Sequence, residues 1–249
     1  MGRLASLTPR NLFPHPRVSL PFQYHNTMQS RKYSRTYHFP FSKGTTSDDR
    51  IAEDWTGLLQ HELVLTEKLD GENTCLKASG VYARSHAAPT ESPWSVKMRE
   101  LWDQHKHGLG ELEIFGESLY AIHSIEYERL DSYFYVFAIR QGEVWLGWDD
   151  VEFYAGALDL PTVPVIRRGY FSEAALQETI EEEIKKGSRL GGECEGFVVR
   201  NARSFPVDDF AKNVLKYVRK NHVQTDEHWT KNWQRARLWF ERAVEGQQT

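Results

Sequence analysis

An α+β domain built on antiparallel sheet is the fold class that the sequence predicts, and three observations predict it. Strand-like runs outnumber helix-like ones, the two kinds do not alternate regularly along the chain, and several runs alternate or are rich in aromatic and branched residues. The runs are 62–68, 74–84, 111–120, 131–140, 144–148 and 194–200. A helix is expected from Ser95 to His107, stopping at Gly108, with His105 and His107 read as the helix end rather than as metal ligands. A second takes Ser172 as its cap, buries Ala175, Leu176, Ile180 and Ile184, and stops at Gly187. A last helix, from Thr225, sets Trp229, Trp233, Ala236, Phe240 and Val244 on one stripe, the spacing that docking against a body needs.

The chain has 249 residues and a formal net charge of -4. That length can bury a sizeable core, and the charge gives no global argument for a polyanion, so a nucleic-acid site would have to be a local basic surface. Cys75 and Cys194 cannot build a disulfide framework and lack metal-ligand spacing, which favours a reducing compartment. The first 47 residues hold no Asp or Glu but several Arg and Lys, a composition that transit peptides share. Pro14, Pro16 and Pro21 break any long amphipathic helix there, so a cytoplasmic protein is expected, with residues 1–28 a disordered extension. The most continuous apolar run, Tyr133 to Ile139, is far too short to span a bilayer, and no membrane partner is expected.

Chemistry concentrates in LTEKLDGENTCL, residues 65–76, where Lys68 ends a strand-like run and Asp70 and Gly71 form a turn. K-x-D-G alone is weak: Lys68 reads equally as a solvated strand end or a nucleophile, and Asp70 as an orienting acid or a turn-former. Downstream stand FGESLY with Glu117, the aromatic run FYVF at 134–137, ECEGFVVR with Glu195, and the basic run VLKYVRK with Lys216. Singly, each has an ordinary structural explanation; their order is harder to ascribe to accident. On strand periodicity Phe134 and Phe137 point to opposite faces, so only one can be a stacking platform.

The set KLDGEN, YARS, FGES, FYVF, EGFVVR and LKYV resembles the collinear motifs of the covalent nucleotidyltransferase superfamily of DNA and RNA ligases and mRNA capping enzymes. It looks most like the ATP-dependent RNA ligases, over roughly Glu62 to Lys220, with softer likeness in RTYHFPFS at 35–42 and HVQTDEHW at 222–229. The resemblance implies a ligase-type nucleotidyltransferase domain with antiparallel sheets flanking an ATP cleft, spanning 29–222, followed by a C-terminal helix over 223–249. It implies ATP as co-substrate, Mg²⁺ or Mn²⁺ as cofactor, and RNA 5′-phosphate and 3′-hydroxyl ends as substrates, with an accessory RNA-binding or end-healing protein as a further partner. By the same resemblance Lys68 is the nucleophile that becomes lysyl-AMP, and Lys216 contacts the α-phosphate. Arg84 holds a phosphate or the incoming strand, Glu117 accepts from the ribose hydroxyls, and Glu195 helps to hold the metal or the lysine. Phe137 stacks on adenine, and the backbone at Glu67 reads the base edge. A lysine amine is almost wholly protonated at neutral pH, so Lys68 is expected to have its pKa depressed by cations, a metal or burial.

Two positions depart from the family pattern: Ala138 stands where an acid usually follows the stacking aromatic, and Val218 where a second lysine usually follows Lys216. DNA ligases and capping enzymes share the lysine chemistry but generally append an OB-fold after the basic motif. About thirty residues follow Lys216, room for a helix rather than a barrel, so an RNA ligase without an OB-fold domain is expected. A DNA ligase, a capping-type transferase and a non-catalytic nucleotide- or RNA-end-binding relative are the alternatives. RNA contacts are expected around Arg31, Lys32, Arg35 and Lys212 to Lys220, which read equally as ordinary solvated charges.

Overall fold

The computed structural model describes residues 32–85, 87–220 and 229–245. The extension expected over 1–28 lies outside them. The described chain folds as two mostly antiparallel sheets with helices against their outer faces, the α+β class expected.

The first sheet holds β1 (Tyr37–His38), β2 (Leu63–Lys68), β8 (Val165–Gly169), β9 (Gly196–Asn201) and β11 (Val214–Val218), in the order β1-β11-β9-β2-β8. The second holds β3 (Glu72–Lys77), β4 (Gly80–Ala83), β5 (Leu112–Ser118), β6 (Phe134–Gln141), β7 (Val144–Trp145) and β10 (Phe205–Pro206), in the order β10-β7-β6-β5-β3-β4. Strand alternation decides what each face carries. In β2 the odd positions Leu63 and Leu65 join Phe197, Val199, Leu215 and Tyr217 in a core closed by Leu176 and Ile180 of α3 (Glu173–Lys185). The even positions Thr66 and Lys68, with Val198 and Lys216, line a cleft on the opposite face. A second core packs Ile114, Phe134, Val136 and Ile139 of the other sheet against Met98 of α1 (Val96–His105) and Trp148 and Val151 of α2 (Trp148–Ala157). A third cluster, including Cys75, Phe115, Trp145 and Phe210 of the short α4 (Phe210–Asn213), floors the cleft.

The helix capped by Ser172 forms as its sequence predicts, the serine side chain accepting from Ala175 N–H at 3.2 Å. Elsewhere the elements differ from expectation. The run 74–84 is a hairpin, because Ala78 and Ser79 turn between β3 and β4. The run 144–148 is strand only to Trp145: Gly147 caps α2, whose first turn carries Asp149 and Asp150 at the positive end of the helix dipole. The last helix, expected from Thr225, is not continuous over its described part. Residues 221–228 lie outside the described segment, Trp229–Lys231 is a 3-10 turn, and α5 is confined to Trp239–Glu245. The stretch between them pairs instead with the 120–130 region: Ile122 N–H donates to Gln234 O, Ala236 N–H to Tyr120 O, and Trp239 N–H to Leu130 O. Those partners take the place of the i−4 carbonyls a helix would use. No described helix is long and apolar enough to cross a membrane.

Candidate active site

The K-x-D-G segment leaves β2 and enters β3 by a turn that joins the two sheets at one end of the cleft. Asp70 fixes that turn: its Oδ2 accepts from Ser124 N–H at 2.7 Å and Ile125 N–H at 2.8 Å, while its own N–H donates to the Tyr127 hydroxyl at 2.8 Å. Gly71 follows because nothing larger fits: a Cβ there would lie 2.4 Å from Ser118 O and 2.7 Å from Leu119 Cδ2. That close approach lets Gly71 N–H donate to Glu117 Oε1 at 3.1 Å, drawing the acid of FGES toward the lysine turn.

Lys68 Nζ donates to Glu195 Oε2 at 2.7 Å. Glu195 is held there by the start of β9, where Gly196 permits a backbone approach to Tyr217 O that would leave a Cβ only 2.0 Å away. The lysine differs from expectation in its charge. Burial works to lower its pKa, but Glu195, Glu117 and Asp70 outweigh burial and hold it above the ordinary lysine value, so the group is an ammonium. The carboxylates respond in turn. Glu117 is pushed up to about 8 by burial, helped by Glu195 and Asp70 against Lys68, and burial raises Glu195 against the pull of Lys68. Lys216 behaves oppositely: burial and the nearby Lys68 lower it, with Asp49 and Glu195 opposing.

The floor of the cleft is aromatic. The pairing of β5 with β6 steps from Phe115↔Ala138 to Gly116↔Val136, leaving Phe137 as the extra residue of a β-bulge. A bulge re-aims side chains, and both Phe137 and Ala138 line the cleft, while Phe134 is buried in the core behind the sheet. Phe137 is thus the platform candidate that lines the cavity, of about 610 Å³, as Val198 also does. Tyr33 also stands in it, its ring 5.1 Å from Phe137 at 76°, 5.0 Å from Phe210, 5.2 Å from Trp145 and 5.4 Å from Phe115.

Not every expected residue converges. Arg84 lines the cleft from an exposed position, as does Arg35, whose guanidinium also donates to Asp48 O. The Glu67 side chain points to the other face, as strand alternation requires, its Oε2 accepting from Arg189 N–H at 2.9 Å; its backbone N–H is taken by Pro164 O at 2.9 Å. Lys212 pairs with Asp209 at 2.8 Å and lines a separate groove beside Tyr37 and Trp55. Val218 is buried in β11, and Arg219 is directed at Glu193 and Cys194 O, so it does not replace a second cleft lysine. Lys32 and Lys220 are exposed, and Arg31 lies outside the described residues. Among the described residues no three His, Cys, Asp or Glu side chains are grouped to hold a metal ion. Glu195, beside Lys68, is a carboxylate of the right chemistry to contribute one oxygen ligand to a divalent ion.

Sequence reading missed three contributors. Tyr33, His38 and Asp49 lie in or beside the cleft, with Asp49 Oδ1 3.6 Å from Lys216 Nζ and 3.1 Å from His38 Nε2. The stretch RTYHFPFS holds His38, yet nothing local ties Asp49 to a lysine more than a hundred residues away.

A family model described as RNA ligase matches residues 61–218. No curated protein matches. Among solved structures, a protein from Aquifex aeolicus described as an ATP-dependent DNA ligase is 19% identical with a TM-score of 0.48, the match covering 76% of this chain and 50% of that one. An archaeal ATP-dependent RNA ligase is 17% identical with a TM-score of 0.48, over 73% of this chain and 48% of that one. A Naegleria gruberi RNA ligase variant with ATP and Mn is 18% identical with a TM-score of 0.48, over 75% and 59%. The chain thus spans about half the length of the first of these.

Proposed function

The chain belongs to the RNA ligase family, and from that premise we propose that it joins RNA 3′-hydroxyl and 5′-phosphate ends with ATP, through lysyl-AMP and RNA-adenylate. The observation that carries this reading is Lys68: a buried-edge ammonium 2.7 Å from Glu195, in one cleft with Glu117, Lys216 and the platform Phe137. Adenine stacks on Phe137, the ribose hydroxyls donate to Glu117, and Lys216 faces the α-phosphate.

Lys68 must first give up a proton, and Glu195 is the acceptor in hydrogen-bond reach; burial makes this carboxylate more basic than usual. The neutral amine then attacks the α-phosphorus: the N–P bond forms, the bond to pyrophosphate breaks, and pyrophosphate leaves with the charge. Lys216 and Arg84 offset the negative charge that builds on the phosphoryl oxygens. An oxygen of an RNA 5′-phosphate next displaces Lys68 from the α-phosphorus, the amine taking back a proton from Glu195, and the RNA 3′-hydroxyl, losing its proton to solvent, displaces AMP to make the phosphodiester. A divalent ion held with Glu195 would supply further charge neutralisation on the phosphates. Repair of broken RNA in the cytoplasm is the role this reading assigns.

The test is covalent labelling with ATP carrying its label on the α-phosphate, resolved on a denaturing gel, with Lys68→Ala alongside. A labelled band that vanishes in the variant supports the reading. A band with GTP and none with ATP would indicate capping-type chemistry, and no band with either would leave a nucleotide- or RNA-end-binding protein.

A further inference from the structure

The segment before β2 is stitched to β11 at three heights. His38 pairs with Lys216 in the parallel β1–β11 ladder, Phe39 N–H donates to Lys216 O at 2.9 Å, and Ser42 Oγ accepts from Val218 N–H at 3.0 Å. The same segment then delivers Asp49 to the cleft. Its Oδ2 accepts from Thr46 N–H at 3.0 Å and Thr46 Oγ1 at 2.9 Å, and its Oδ1 lies 3.1 Å from His38 Nε2 and 3.6 Å from Lys216 Nζ. His38 is in turn held by Ser42, Nδ1 to Oγ at 2.9 Å. The carboxylate and the strand bearing Lys216 are therefore registered by one piece of chain.

We propose that Asp49 is a positioning residue: it fixes the Lys216 ammonium on the cleft side of β11, opposite Lys68, in the pose that meets a phosphate. Of the charges that act most on Lys216, Lys68 repels it, and Asp49 and Glu195 attract it. Glu195 is already engaged by Lys68, which leaves Asp49 as the anion available to Lys216. Burial raises and the Thr46 hydrogen bonds lower the Asp49 pKa, with Lys216 and His38 adding, for a net value of about 2, so the anchor is charged at working pH. The neutral His38 backs it without competing as a cation.

This role rests on the ligase reading, and two readouts separate the failures. In the first, the rate of labelled adduct formation at saturating ATP is measured in a double-mutant cycle. Asp49→Asn, which keeps the Thr46 acceptor, is expected to slow it roughly tenfold, Asp49→Glu to recover most of the rate, and Asp49→Asn to cost nothing further in a Lys216→Ala background. Equal cost in both backgrounds, or no cost in either, overturns the proposal. In the second, folded protein is acetylated with an N-hydroxysuccinimide ester of acetate and Lys216 is followed by mass spectrometry. Its acetylation is expected to quicken several-fold in Asp49→Asn with an unchanged melting temperature, and an unchanged rate also overturns the proposal. If wild-type protein forms no adduct, the ligase reading fails, while the acetylation comparison still decides whether Asp49 restrains Lys216.

Discussion

Lys68 and Glu195, 127 positions apart, meet at 2.7 Å with their side chains 26% and 6% exposed. Removing one partner strands the other at the bottom of the cleft. Glu195→Ala is expected to destabilise the protein by about 2 kcal/mol, below the cost for a fully enclosed pair because water reaches the lysine. A lower urea midpoint at unchanged m-value checks this, and adding Lys68→Met should recover part of the loss.

Glu117 binds its proton with a pKa of about 8, against an ordinary carboxylate value near 4.5. Between those values the native state holds a proton that the unfolded chain has released, so this group's contribution is fullest below pH 4.5 and is lost as pH rises through 8. Glu117→Gln keeps the acceptor for Gly71 N–H and has no charge to strand. It should match wild type near pH 5 and exceed it by ~2 kcal/mol near pH 9, while its ATP adduct forms more slowly. Paired thermal melts at the two pH values read the first effect, and the labelling assay reads the second.

His38 is displaced the other way, to about 4, by burial and by Lys216. The unfolded histidine takes up its proton near pH 6.5 and the native one only near 4, so its stabilising contribution is complete above 6.5 and disappears as pH falls toward 4. Wild type should lose at most about 1.4 kcal/mol per pH unit across that window relative to His38→Gln, measured by urea titration at steps between pH 7 and 4.

Tyr33 touches four aromatic rings within 5.0 to 5.4 Å. Tyr33→Ala should cost about 2–3 kcal/mol, and Tyr33→Phe, which keeps the ring, well under about 1 kcal/mol. Denaturant midpoints give both numbers, and equal losses in the two variants would mean that the ring contacts contribute little.

Phosphate tracking along RNA should show as salt dependence. Ligation is expected to fall more steeply between low and moderate salt than adduct formation does, because only the former displaces counterions from a nucleic acid. Parallel slopes would argue against an RNA-tracking surface at Arg35 and Arg84.

The placement of Lys68, Glu117, Phe137 and Lys216 along the cleft was legible because each lies in a short motif on a strand, where alternation determines the face it shows, while Glu195 stands just before β9. Phe137 needed the bulge as well to share the cleft with Ala138. Asp49 and Tyr33 were not legible, since their places depend on a pairing between distant segments that no local pattern encodes. That the chain's own acids outweigh burial at Lys68 was not legible, because sequence names its neighbours without their distances. The apolar stripe Trp229 to Phe240 suggested a helix, yet the backbone there finds its partners in the 120–130 segment.

The join between Ser42 and Val218, 176 positions apart, has a bearing on synthesis. A ribosome has emitted the lysine turn and most of the second sheet long before the residues that complete the first sheet emerge. Until then the strand at Tyr37 and His38 lacks its β11 neighbour and pairs only through His38 with the Arg50–Ala52 segment, and Asp49 has no lysine to restrain. Long-range closure of this kind is slow and leaves edges exposed while it waits. The cleft therefore closes late, and a nascent chain stalled before β11 would carry Lys68 without Lys216 opposite it.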